Sequence, residues 1–257
     1  MILQHKIIIF IKRIKGERIL STALIFAGGT GQRMNSRSKP KQFLEMHGKP
    51  IIIYTLEHFE YHPQIDNIVI VCLESWIEEL KGILKRYGIT KVSNIVPGGE
   101  TGHDSIYKGL VSLKGTITED TIVLIHDGVR PLINEDLITK NINMTQQLGN
   151  AITVEAVRES VVRSEDGKTI SHVPPRSEMY VAKAPQTFYY GDIMKLYERS
   201  HQEGKRSIDS AHLCSMYGVQ MNIVQSTKNN MKITEPADFY IYRALYDAIE
   251  NQQVFGV

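Results

Sequence analysis

Six short runs rich in isoleucine and valine alternate along this chain with segments of helical period, and that alternation constrains the fold more than any other feature. The runs are 22–27, 67–72, 92–96, 121–126, 151–155 and 219–224. Several are apolar at consecutive positions, as strands covered on both faces should be. The pattern predicts an α/β fold: a Rossmann-like, mostly parallel sheet with flanking helices. The spacing predicts a helix over 75–87, opened by a Ser75/Glu78 capping box, striped by Ile77, Leu80, Ile83, Leu84 and Tyr87, and closed by Gly88. Others are predicted from Asn134 to Gly149 and over 237–250, after Pro236. Residues 156–188 break the rhythm. Two β-like pieces flank Glu165-Asp166-Gly167-Lys168, a hairpin signal, and too few apolar residues surround them for a separate domain. The segment reads as a projecting β-arm, a device suited to homodimer contacts.

Charge separates the ends of the chain. Residues 1–20 carry Lys6, Lys12, Arg13, Lys15 and Arg18 against Glu17, leaving 25 basic and 27 acidic residues in the body. A body near −2 excludes the basic face of a nucleic-acid binder. The apolar run Ile7–Ile11 in the head is too short for a membrane span, about 20 residues, or a signal core, about 7–15. The expectation is a basic, poorly ordered extension over 1–20, no stable membrane insertion, and one domain over 21–257. Cys72 and Cys214 lie far apart in apolar or helical contexts, as reduced thiols of a cytoplasmic protein would.

The first strand runs into Ala27-Gly28-Gly29-Thr30-Gly31-Gln32-Arg33-Met34. Glycines at 28, 29 and 31 let the backbone turn and point N–H groups inward as an anion nest, which a triphosphate suits. No G-K-[ST] follows, so this is not a P-loop of the Walker type, and Met34 stands where a dinucleotide fingerprint needs its third glycine. Arg33 and Lys41 add the cations that a polyphosphate requires. Lys39 reads as an ordinary surface lysine.

G-G-T-G-x-R-M followed by P-K-Q-F-L resembles the start of the cytidylyltransferases acting on methylerythritol phosphate and on ribitol 5-phosphate. Further landmarks follow in the family's order: Pro97-Gly98-Gly99-Glu100 with Asp104-Ser105, His126-Asp127-Gly128-Val129-Arg130-Pro131, Arg176 with Pro185-Gln186, and Asn230-Met231-Lys232-Ile233-Thr234-Glu235-Pro236. The resemblance covers about residues 22–250. It implies a CTP-dependent transfer with Mg²⁺, in which Arg33, Lys41 and Lys232 are catalytic cations. Ala27, Gly28, Gly29, Thr30, Gly31, Gly99, Ser105 and Asp127 would bind the nucleotide, Asp127 assisting the metal. Arg130, Ser160 and Arg176 would meet the polyol phosphate. Ser105 could equally cap the next helix, and Asp127 with Arg130 could be a strand-end salt bridge.

Two features resemble the ribitol branch: Phe26-Ala27-Gly28-Gly29 in the first loop, and Arg176-Ser177-Glu178-Met179-Tyr180 after the hairpin. Two others depart from the family. Lys183-Ala184 replaces the residues before Pro185-Gln186, where a threonine is usual, and Gly102 replaces an arginine. The expected product is CDP-ribitol for a cell-surface glycan; the alternatives are CDP-methylerythritol for isoprenoid synthesis and the CDP derivative of another polyol phosphate. No D-x-D occurs, which speaks against a nucleotide-sugar glycosyltransferase.

Overall fold

The computed structural model describes residues 18–29 and 39–255, with side chains described through 251. The head through residue 17 and the turn residues Thr30, Gly31 and Arg33 lie outside the described residues. Seven strands form one sheet: β1 (Ser21–Ala27), β4 (Asn67–Cys72), β5 (Val92–Pro97), β6 (Ile122–Asp127), β7 (Asn150–Ala156), β8 (Tyr180–Tyr189) and β9 (Ile223–Gln225). Their order is β5-β4-β1-β6-β8-β7-β9. A separate two-stranded piece pairs β2 (Glu45–Met46) with β3 (Lys49–Pro50). Pairing is parallel from β5 through β6 and between β7 and β9, while β8 runs antiparallel to both its neighbours.

Both faces of the sheet are covered, which explains the unbroken apolar runs. Along β1, Ala23 and Ile25 pack to one side and Leu24 to the other. The first side is closed by α1 (Ile51–Glu60), α2 (Ile77–Arg86) and α4 (Glu135–Leu148); the second by α3 (Gly102–Ser112), α5 (Tyr190–Gln202) and α6 (Ser210–Met216). The last helix, α7 (Pro236–Phe255), packs Tyr242 with Tyr54, Ile51 and Ile233 in a third cluster. Among the described residues no helix is long and apolar enough to cross a membrane.

Several local expectations shift. The 75–87 helix begins at Ile77, because Glu74–Trp76 forms a 3-10 turn, and Trp76 occupies the cap with no side-chain bond. The Ser75 capping box is therefore not made, although Gly88 closes the helix at φ +67. Asn134 does cap its helix, accepting from Leu137 N, and Gly149 ends it left-handed at φ +96. The run at 219–224 shrinks to a three-residue strand.

The arm is narrower than 156–188. Residues from Ala184 to Tyr189 are buried between β6 and β7, so the projecting part is the connection between β7 and β8. It turns at the expected place: Asp166 Oδ1 accepts from the N–H groups of Lys168 and Thr169, both at 2.8 Å, and Arg163 bridges His172 antiparallel. Beyond that bridge it forms no regular ladder. It leaves Val162, Ile170 and Val173 about half exposed or more.

Candidate active site

Parallel strands deliver their carboxyl ends to one edge, and in open α/β sheets ligands bind there. Ala27, Cys72, Pro97 and Asp127 end at this edge. At the first, Gln42 is buried and donates its amide to the carbonyls of Ala27 (2.6 Å) and Gly29 (3.4 Å), bracing the glycine turn from below. Gln42 itself is set by the 3-10 turn Lys41–Phe43 after Pro40, pinned by the buried Phe43 ring stacked on Trp76 at 4.6 Å. Lys41, half-buried on the same turn, faces the start of α7. Burial pushes the Asp238 carboxyl up, but bonds from Thr234 and Glu235 and the field of Lys41 hold it below its ordinary value. Lys39 pairs with Glu45 at 2.8 Å.

The loop after β5 closes against this turn. Gly98 N donates to the carbonyl of Cys72 (2.8 Å) and Gly99 N to Ser105 Oγ (3.0 Å). Thr101 and Asp104 form the capping box of α3, so Ser105 is not the cap; it fastens the loop. A Cβ built on Gly28 would meet Ser105 Oγ at 3.4 Å and Gly98 Cα at 3.5 Å, so the two glycine-containing loops touch. A methyl group there would sit at ordinary van der Waals distance from both, so the loops are closely packed with room for no more than a small side chain.

Across the edge, Asp127 ends β6 fully inside the protein, and both its carboxylate oxygens are held by cations. Lys232 Nζ lies 2.5 Å from Oδ1 and Arg130 Nε 2.7 Å from Oδ2. Burial alone would raise the Asp127 carboxyl, but Lys232 and Arg130 outweigh it and hold it far below the usual range, fully ionised. The strand-end salt bridge anticipated for Asp127 and Arg130 is thus real, and Lys232 belongs to it. Asn230 is buried and fixes the loop that carries Lys232: its amide donates to the Ala184 carbonyl (2.7 Å) and to Ser226 Oγ (3.0 Å), and its own carbonyl accepts from Arg130 (3.2 Å). His126 Nε2 bonds the Arg130 carbonyl at 3.1 Å, and burial lowers its pKa to about 4, so it stays neutral.

Asp127, Arg130 and Lys232 line a cleft of about 220 Å³ together with Phe26, Ile106, Lys183, Gln186 and Asp209. Ser160 and Arg176 do not line it; both are exposed on the arm, where Arg176 donates to the Arg158 carbonyl at 3.2 Å. Sequence reasoning gave no role to Gln42 or Asp209, marked Lys183 only as a departure from the family, and missed the bracing role of Asn230. For Gln42 and Asn230 the signal was their place inside the two motifs that carry Lys41 and Lys232.

For a divalent cation the donor set is spare. Among the described residues no three His, Cys, Asp or Glu side chains gather as a metal cage. Asp127 is an ionised, hard oxygen donor at the strand end, which fits a magnesium ion arriving on a triphosphate and keeping mostly phosphate and water ligands.

A doubly covered sheet with glycine turns and a cation cluster at its carboxyl edge defines a nucleotidyltransferase. The chain belongs to the 2-C-methyl-D-erythritol 4-phosphate cytidylyltransferase family, which it matches over residues 21–247. A ribitol-5-phosphate cytidylyltransferase of Streptococcus agalactiae serotype Ia is 46% identical over 93% of this chain and 100% of its own length. A 2-C-methyl-D-erythritol 4-phosphate cytidylyltransferase of Clostridium botulinum type A is 37% identical, over 86% and 95%. The crystal structure of 4-diphosphocytidyl-2C-methyl-D-erythritol synthase from Anaerococcus prevotii superposes with a TM-score of 0.79 at 26% identity, covering 90% of this chain and 97% of that one.

Proposed function

We propose that this chain transfers CMP from CTP to D-ribitol 5-phosphate, giving CDP-ribitol and pyrophosphate. The observation that carries the chemistry is the pair Lys232 and Arg130 set on opposite oxygens of one buried carboxylate beside the glycine turn. A phosphate oxygen of the acceptor attacks the α-phosphorus of CTP; the bond from that phosphorus to the α–β bridging oxygen breaks, and pyrophosphate leaves. The attacking monoester is mostly a dianion at neutral pH, with a second pKa of about 6, so no general base is needed. Catalysis then rests on positioning and charge stabilisation. Lys232 exchanges Asp127 for an α-phosphate oxygen, and Lys41, with Arg33, takes the departing phosphates. Magnesium, held by Asp127 and the phosphates, would neutralise the remaining charge.

The choice of acceptor is supported by the higher identity to a ribitol-5-phosphate enzyme, 46% against 37%, and by the ribitol-like Arg176–Tyr180 segment. The arm would bring Ser160 and Arg176 to the site of a second copy, making a homodimer with shared acceptor sites. Use of CTP supports a cytoplasmic enzyme whose product is a donor for a cell-surface glycan. Pyrophosphate release tests the reading with CTP, Mg²⁺ and either D-ribitol 5-phosphate or methylerythritol phosphate. Preference for ribitol 5-phosphate is expected; preference for methylerythritol phosphate would reverse the assignment.

A further inference from the structure

The wall of the cleft opposite the glycine turn is built by β8 and the start of α6, and most of its polar groups have their bonding capacity used. Gln186 donates its amide to the Lys183 carbonyl (3.3 Å) and to Asp209 Oδ2 (3.0 Å), and its oxygen accepts from Ala211 N (2.9 Å). Ser210 Oγ is bonded to the Tyr197 hydroxyl at 3.0 Å. The Ala184 carbonyl is taken by Asn230, and Ala182 and Ala184 present only methyl groups.

Two side chains retain capacity. The Lys183 ammonium has three donors and one ion-pair partner, Glu155 Oε2 at 3.1 Å; its side chain is 18% exposed and lines the cleft. The Asp209 carboxylate caps α6 through His212 N (2.7 Å) and accepts from Gln186, which leaves lone pairs on both oxygens. Glu155 balances the charge of Lys183. A neutral group that both donates and accepts therefore suits this wall better than a second phosphate.

We propose that Lys183 is a specificity-determining residue for the acceptor, donating to hydroxyls of the polyol chain while Asp209 accepts from them. Gln186 bonds the backbone of one and the carboxylate of the other, and so holds the two at a fixed spacing. The inference rests on the polyol-phosphate reading given above and deepens it: the phosphate end of the acceptor goes to the cations, and its hydroxyls go to β8. Glu155 has a positioning role, keeping the ammonium on this wall and away from Asp127.

The test is steady-state kinetics of Lys183→Met and Asp209→Asn, the second of which preserves a helix-capping side chain. Each substrate is varied in turn, and thermal unfolding is followed alongside. Lys183→Met is expected to raise KM for D-ribitol 5-phosphate at least tenfold while KM for CTP moves less than twofold, and Lys183→Arg to recover part of the loss. Should Lys183→Met fail to fold, Lys183→Gln, which retains a donor, gives the same comparison at smaller amplitude. An unchanged acceptor KM in an active, folded variant overturns the inference, as do equal rises in both KM values, which mark a merely structural role. Wild-type enzyme preferring methylerythritol phosphate leaves the comparison intact with that acceptor. Wild-type enzyme inactive with both phosphates overturns the functional reading and this inference together.

Discussion

Lys232 and Arg130 grip opposite oxygens of Asp127, so one buried carboxylate orients two cations from different loops. Asp127 is thereby an anchor in the resting site. Its charge is balanced without the substrate, and an arriving phosphate competes for Lys232, the more exposed of the two cations.

Removing that cation separates catalysis from folding. Lys232→Ala leaves Asp127 paired with Arg130, so the protein still folds. By analogy with loss of one oxyanion donor, kcat should fall about 10²–10³-fold. Lys232→Arg should restore only part, because the guanidinium fork does not reproduce an ammonium point charge. Single-turnover pyrophosphate release measures both; a kcat within threefold of wild type in Lys232→Ala would remove Lys232 from the mechanism.

Gly99→Ala tests the nucleotide loop. A Cβ at Gly99 would fall within van der Waals distance of Asp104 Cβ and reach 2.8 Å from the Asp104 carbonyl carbon, so the loop must lift from the N-terminus of α3. The expected result is a rise in KM for CTP of about tenfold, ~1.4 kcal/mol, with overall stability nearly retained. Titration calorimetry with CTP reads the same change directly, and unchanged affinity would mean that this loop does not hold the nucleotide.

Acid should unfold the protein through its buried histidines before its carboxylates are reached. Burial lowers His126 to about 4, and burial also lowers His58, His62 and His103. Between about 4 and 6.5 the unfolded chain binds protons at His126 that the native protein refuses, so stability is full above 6.5 and is lost as pH falls through that window. The full His126 contribution is roughly 3 kcal/mol. Urea midpoints at pH 7.5, 5.5 and 4.5 should decline, and His126→Gln should flatten the decline; a slope unchanged in that variant would exclude His126 as a contributor.

The arm's apolar side chains should be covered in solution. Light scattering is expected to give about twice the 29.2 kDa chain mass. Val162→Asp combined with Ile170→Asp, both on the exposed connection, should shift the protein to monomer and raise KM for the acceptor. A fully active monomer would exclude a shared site.

The strands on the parallel side were legible because burial on both faces produces unbroken apolar runs, as in Asn67–Cys72. β8 was not, since Lys183 and Pro185 interrupt it and its outer half is exposed. α1 was equally hidden: Ile51-Ile52-Ile53-Tyr54-Thr55-Leu56 is buried all round and shows no polar face to mark a helical period. At the site, the residues bearing charge were readable from their motifs. The braces were not, because Gln42, Asn230 and Gln186 act through backbone carbonyls and neighbouring side chains that only the fold brings near. Arg176 and Ser160 needed the arm's direction, which no spacing in the sequence specifies.

The reversed direction of β8 has a consequence for how such a protein can change. Running against its neighbours, β8 meets β6 at the edge where β6 ends, so its middle residues, Ala182 to Ala184, share the cleft with Asp127, and the arm leads into the same strand just before them. The arm and the opening residues of this strand form a replaceable cassette. Changes within it would retune the wall of the cleft while leaving the glycine loops, on the other side of β6, in place.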